Sequence, residues 1–236
     1  EQKRHYYLAY NAKLTQKLAN SDLKLGKFFQ ATAQGKMLDK RTAIASASLQ
    51  DLSGNLTYEL LVHYHVISER TFERLYGQHQ QPPVLENDLN PYRAAIPLHE
   101  VNISNHQLQA KLGSITSAQC AGHFPAFPSM PVAILMSVLS NAAGQLLKQL
   151  LNDEDIRYVV QEAIVRADNL AFAGESVEVK AEYLESQGDD YVFSTRAIAN
   201  GIKEVGNLRI ILSVCKPASP LYIPKVRSKD RYAVSV

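Results

Sequence analysis

His123 is the side chain in this sequence best suited to move a proton near neutral pH, because an imidazole changes charge there with little help. It stands in the run Gly122-His123-Phe124-Pro125-Ala126-Phe127-Pro128-Ser129-Met130-Pro131, where three prolines in seven residues deny the backbone both a helix and a sheet ladder. A histidine on so stiff a loop can serve as a general base. Two nucleophiles lie near it in the chain. Cys120 would form a cysteine–histidine pair, although a cysteine in an apolar run is equally explained by packing. Ser137 would attack if His123 took its proton, but the sequence ties no carboxylate to the histidine to orient it. His63 and His65 are two residues apart in a strand-like run, so they share a face. That spacing suits a metal ion, yet no third ligand accompanies the pair, so no metal site is expected and a surface or pocket-edge role is the plainer reading.

The loop needs a rigid element at its end to hold it. Residues 131–150 predict a buried helix: Ser129 can be its N-cap or lie just before it, Pro131 suits the first turn, and the first charge after Pro131 is Lys148. With no charged face, this helix must be wrapped on most sides. Ser137, Ser140 and Asn141 make it too polar for a membrane span. Its N-terminus offers free N–H groups and the positive end of the helix dipole to an oxygen that gains charge.

The run from Gly122 through the helix resembles the hotdog-fold 3-hydroxyacyl-thioester dehydratases, whose pattern is close to G-H-F-P-G-x-P-x-M-P-G followed by a central helix. The resemblance implies an α+β hotdog fold, an antiparallel sheet wrapped around that helix. It implies His123 as the catalytic base and the Val132 N–H as the group polarising the thioester carbonyl, at a position where the family usually has glycine. Gly122, Phe124, Pro131, Val132 and Asn141 would border the substrate, Asn141 standing where the family tends to have glutamine. The family's acid falls at Ser137, where Glu or Asp is usual, and a serine hydroxyl is no useful proton donor near neutral pH. His63 or His65 would then be candidates to assist.

The implied activity is dehydration of 3-hydroxyacyl thioesters, or hydration of 2-enoyl thioesters, carried on acyl carrier protein or coenzyme A. Two alternatives stand beside it. One is an acyl-thioester thioesterase, which needs the same helix end and a base for water. The other is a catalytically silent hotdog that binds an acyl group or completes a partner's sheet.

The chain's 236 residues suit two units of roughly 110–120, and 46% hydrophobic residues are enough to build cores. A net charge of +2 without a Lys/Arg block argues against nucleic acid as partner. Cys120 and Cys215, the only cysteines, fit neither a disulfide scaffold nor a zinc site, so a reducing, cytoplasmic setting is expected. Neither a signal peptide nor a spanning segment is visible, which argues against a membrane; a targeting segment upstream of Glu1 stays open. No glycine-rich phosphate loop is present, so no cofactor is expected.

Along the chain, residues 5–25 read as strand and connection, and residues 26–68 as three long antiparallel strands with a hairpin turn at Ser53-Gly54-Asn55. Residues 68–76 form a short amphipathic segment and residues 77–83 a polar linker. Strands come next at 96–103 and 107–118, and residues 217–236 are a proline-bearing tail without a core pattern. An internal repeat runs through this order. Gly174 and its strand echo Gly26; Thr195 to Ala199 echo Arg41 to Ala45; Gly206-Asn207-Leu208 echoes Gly54-Asn55-Leu56; and Tyr158 with its neighbours echoes Tyr6-Tyr7-Leu8.

The repeat predicts a double hotdog: a first half over 1–83, a second over 84–216 with helix 131–150, and the tail. The first half has no room for a central helix of its own. Either that helix lies upstream of Glu1, which the missing Met favours, or the half is reduced and completed by the other's helix. An incomplete half would leave sheet edges that a homodimer could cover.

Overall fold

The computed structural model describes residues 4–17, 29–82 and 95–215; the expected tail from residue 217 lies outside them. Four strands come first: β1 (His5–Gln16), β2 (Phe29–Met37), β3 (Thr42–Asp51) and β4 (Leu56–Ser68). Helix α1 (Glu69–Tyr76) and a 3-10 turn (Gly77–His79) come after them. The remainder is β5 (His99–Ser104), β6 (Gln107–Ser114), a 3-10 turn (Ser117–Cys120), α2 (Val132–Leu151), β7 (Tyr158–Arg166), β8 (Ser176–Gln187), β9 (Asp190–Ala199) and β10 (Lys203–Val214).

All ten strands join one antiparallel sheet in the order β2-β3-β4-β1-β7-β10-β9-β8-β6-β5. Its seam is β1 against β7, paired from Asn11↔Arg166 to Thr15↔Glu162. Outward from the seam, β1-β4-β3-β2 on one side matches β7-β10-β9-β8 on the other, so the repeat is real at the level of strand order. Lys13 and Glu162 pair across the seam at 2.7 Å; with the lysine exposed and the glutamate half-buried, the pair adds about 1 kcal/mol.

The residue-level echo between hairpins does not hold. Gly54 and Asn55 form the β3–β4 turn, where the Asp51 carboxylate accepts from the N–H groups of Ser53 and Asn55. Gly206 and Asn207 lie inside β10, and the equivalent β9–β10 turn is at Asn200 and Gly201. Gly206 serves packing: a Cβ there would meet Leu135 at 3.2 Å and Met136 at 3.3 Å, so β10 comes close to α2 because it carries no side chain at that point.

α2 lies across the inner face of the second half. Leu139, Leu146 and Leu147 are wholly buried among Val177, Val179, Phe193, Leu208 and Ile210 of β8, β9 and β10. Each leucine so buried contributes on the order of 1.5–3 kcal/mol. The left-handed Asn152 ends the helix, and Asp153 N–H returns to the Lys148 carbonyl at 3.1 Å. The helix is wrapped on most sides as expected, with one stripe left open where Ala133 and Ser137 are exposed along the face turned toward the first half.

Among the described residues no long helix covers the first half, and β2 is exposed throughout. The amphipathic segment forms α1, capped by Ser68, whose Oγ accepts from Thr71 N–H at 3.3 Å. The expected linker begins as a docked strap rather than a free one: Gln81 N–H donates to the Ala126 carbonyl at 3.0 Å.

Candidate functional site

The His123 loop is built by short-range hydrogen bonds that replace the ladder its prolines forbid. Thr116 and Gln119 form a reciprocal capping box that starts the 3-10 turn, and His123 N–H donates to the Cys120 carbonyl at 3.1 Å. Gly122 then takes φ +76° and Phe124 takes φ +50°. Glycine adopts this region freely, whereas for phenylalanine it costs roughly 1–2 kcal/mol that the surroundings must offset. Past the turn, Met130 N–H donates to the Ala171 carbonyl at 2.7 Å and Ala173 N–H to the Pro128 carbonyl at 2.9 Å, with Ser129 bridged to Phe172 between them. The loop thereby delivers Pro131 to the start of α2.

The His123 ring is half-buried and fixed on two sides. Its Nδ1 is 3.0 Å from the Ser129 carbonyl and 3.2 Å from the Ser129 hydroxyl. A carbonyl can only accept, so Nδ1 carries the hydrogen and the neutral ring leaves its Nε2 lone pair free. One face of the ring rests on Phe124, centroids 4.0 Å apart. Burial lowers the His123 pKa below the ordinary imidazole value, and the Ser129 carbonyl opposes the shift in part. The ring is therefore held neutral, with one nitrogen free as a base.

At the end of the loop α2 begins without a side-chain cap. Ile134 and Leu135 N–H both donate to the Pro131 carbonyl, at 3.0 and 3.1 Å, so Val132 and Ala133 bear the first-turn amides that the helix itself cannot satisfy. From this end an apolar groove of about 420 Å³ runs along the exposed face of α2, between it and β1, β4 and β7. Val132, Ala133, Met136, Ser137 and Ser140 form the helix wall; Leu60, Val62 and Tyr64 of β4 face them. From Val132 to Ser140 the wall is roughly 12 Å long at the helical rise. No carboxylate lines the groove among the described residues.

The expected site residues are therefore not all brought together. Val132 and Ser137 share the groove wall, and buried Pro131 forms the N-cap. Asn141 lies beside it, its Oδ1 accepting from Gln145 at 3.5 Å, while Ser140 is the residue of that turn in the lining. Gly122 is exposed at the loop's turn. Neither His123 nor Phe124 is among the residues lining the groove: the imidazole stands on the loop before the helix, and the Phe124 ring packs between His123, Tyr6 and Phe72.

His63 and His65 face away. They alternate on β4 with Val62 and Tyr64, which line the groove while the two histidines do not, and His65 stacks on Tyr10 at 4.1 Å. The serine bound to His123 is Ser129, not Ser137. Cys120 is 2% exposed and burial pushes its thiol up to about 12, which removes it as a nucleophile. No cluster of metal-ligating side chains occurs among the described residues.

Sequence reasoning missed Ser129 as the partner of His123 and Tyr64 as a groove residue. The six-residue spacing of Ser129 from His123 gave no signal of contact. Tyr64 alternates with His63 and His65, so its face followed once theirs was known.

No protein-family model matches the chain. Among solved structures it is similar to a protein assigned as an oleoyl thioesterase from Lactobacillus plantarum, at 11% identity and a TM-score of 0.61, over 90% of this chain and 77% of that one. It is similar also to the 12:0-ACP thioesterase from Umbellularia californica, at 8% identity and a TM-score of 0.56, over 91% and 75%. A MaoC-like dehydratase matches at 12% identity and a TM-score of 0.54, over 88% and 75%. At such identities the likeness is one of fold. The chain has the hotdog fold, in its double form. No helix among the described residues is long and apolar enough to cross a membrane.

Proposed function

We propose that this protein processes acyl thioesters, acting as a hydratase or dehydratase on 2-enoyl or 3-hydroxyacyl groups carried by acyl carrier protein or coenzyme A in the cytoplasm. The observation that carries the reading is the fixed, neutral His123, whose Nδ1 is tied to Ser129 and whose Nε2 is free, on the loop that ends at uncapped helix amides and an apolar groove. Residues 1–83 and 84–216 are then the two halves.

In the dehydration direction Nε2 removes the proton α to the thioester carbonyl. The electron pair moves to the carbonyl oxygen, where the Val132 amide and the helix dipole stabilise it. Collapse of that enolate forms the double bond and expels the 3-hydroxyl, which needs a proton to leave as water. The groove supplies hydroxyls from Ser137, Ser140 and Tyr64 but no carboxylate, and burial raises the Tyr64 pKa, so its phenol is a weak acid. The imidazolium just formed is the strongest donor at hand. One residue thus takes the proton and returns it to the leaving hydroxyl.

Thioester hydrolysis is the second reading, supported by thioesterases among the proteins of similar fold, with His123 as the base for water. A single assay separates them: 3-hydroxyacyl and 2-enoyl thioesters are incubated with the protein and with His123→Ala while double-bond absorbance and free thiol are followed together. Absorbance change without thiol, lost in the variant, is the expected result. Thiol release dependent on His123 would replace the proposal by hydrolysis, and neither signal would leave acyl binding as the function.

A further inference from the structure

His123 has two supports, and the strap of α1 and its 3-10 turn, from the other half of the chain, touches the first directly and reaches the second through Phe172. The first is the Phe124 ring under the imidazole, on a residue with φ +50° whose turn the loop closes by one hydrogen bond, from Phe127 N–H to the Phe124 carbonyl at 2.7 Å. That ring is gripped from outside the loop by Tyr6 of β1 at 5.3 Å and Phe72 of α1 at 5.0 Å. The second support is Ser129, bridged by its backbone to Phe172. Phe172 is in turn covered by His79, stacked at 3.8 Å and 5° between planes, and by Tyr76 at 5.4 Å.

Phe72 is the centre of this arrangement. It is wholly buried, stacked on Tyr6 at 4.2 Å, and edge-on to Phe124 and Phe127. The strap bearing it is anchored at both ends: Glu69 N–H donates to the Arg4 carbonyl at 3.1 Å and Gln81 N–H to the Ala126 carbonyl at 3.0 Å. The cluster is separate from the core under α2. Packing from the first half therefore adds to the loop's own hydrogen bonds in holding the unfavourable turn, through close-packed aromatic rings.

We propose that Phe72, acting through Phe124, is a positioning residue for His123: the strap of the first half sets the ring that acts in the second. Without it Phe124 relaxes toward negative φ, the imidazole loses its platform, and the Nδ1–Ser129 bond is no longer enforced. The effect on turnover rests on His123 being the base; the effect on the ring does not.

The test reads the ring directly. In full-length protein with 15N-labelled histidine, the His123 signals, assigned with His123→Gln, are expected to show one tautomer, hydrogen on Nδ1. Phe72→Ala is expected to give a mixture of both tautomers and to lower kcat for the thioester on the order of 10- to 100-fold with KM within twofold, and Phe72→Met, of similar volume, to recover most of both. Should Phe72→Ala not fold, Tyr6→Leu, at the half-buried edge of the cluster, is expected to shift the same signals more weakly. A folded Phe72→Ala or Tyr6→Leu that keeps the single Nδ1–H tautomer overturns the proposal, whatever the activity. A tautomer shift in a protein without thioester activity upholds the clamp and overturns only the reaction assigned to His123.

Discussion

Replacing Ser137 by glutamate would restore the acid that the dehydratase pattern has at this place, and its effect can be worked from the helix. Ser137 is exposed on α2, between Met136 and Ser140 in the groove wall and one turn beyond Ala133, so the longer side chain meets open groove rather than core. Glutamate is a better helix former than serine by a few tenths of a kcal/mol, and exposed substitutions stay within about 0.5 kcal/mol, so the fold is unaffected. The apolar lining raises the carboxyl pKa and keeps part of it protonated as an acid. A positioned general acid is worth about 10²–10⁴ in rate; at a half-open site the low end applies, about 100-fold in kcat, or roughly 2.7 kcal/mol. The assay is the initial rate of loss of double-bond absorbance from a 2-enoyl thioester. Ser137→Gln is the control, equal in size and without the proton, and is expected to stay near wild type. Equal rates for the glutamate and glutamine variants would refute the reasoning that an acid at position 137 can reach the 3-hydroxyl and relieve His123 of its second role.

Three further outcomes rest on the same geometry. Gly144→Ala is expected to lower the melting temperature: a Cβ at Gly144 would overlap the Tyr158 hydroxyl and lie 2.7 Å from its ring carbon, and overpacking of about 1–3 kcal/mol outweighs the gain of about 1 kcal/mol in helix propensity. Because burial lowers the His123 pKa, the base stays neutral to lower pH than a free imidazole, so kcat/KM should fall with acid only below about 6.5; the stability from this group is present above that value and is lost as pH falls through the lower folded pKa, by thermal melts at several pH values. Cys120, with its thiol pushed up to about 12, should resist alkylation in the folded protein while half-buried Cys215 reacts, as peptide mass mapping over time would show.

Much of the site was legible because it is local. Loop and helix are consecutive in the chain, prolines and an uncharged run mark their limits, and α2 begins one residue from the expected start. The repeat was legible as an order of elements, but not residue by residue, since Gly206 is glycine for close packing under α2 and Gly54 for a turn. His63 and His65 could be placed on one face of a strand; which face met the groove was fixed only by the pairing of β4 with β1. The role of α1 could not be read at all. Phe72 and Phe124 are 52 positions apart, and nothing in either segment shows that one clamps the other.

The central claim, that the uncapped end of α2 and the groove beside it receive an acyl thioester, is tested most directly by a crystal structure with an unreactive 2-enoyl pantetheine analogue whose sulfur is replaced by a methylene. The carbonyl oxygen is expected within hydrogen-bonding distance of the Val132 amide, the α carbon facing His123 Nε2, and the acyl chain along Ala133, Ser137 and Ser140. An analogue seated elsewhere, with the groove empty or closed by side chains, would contradict the claim.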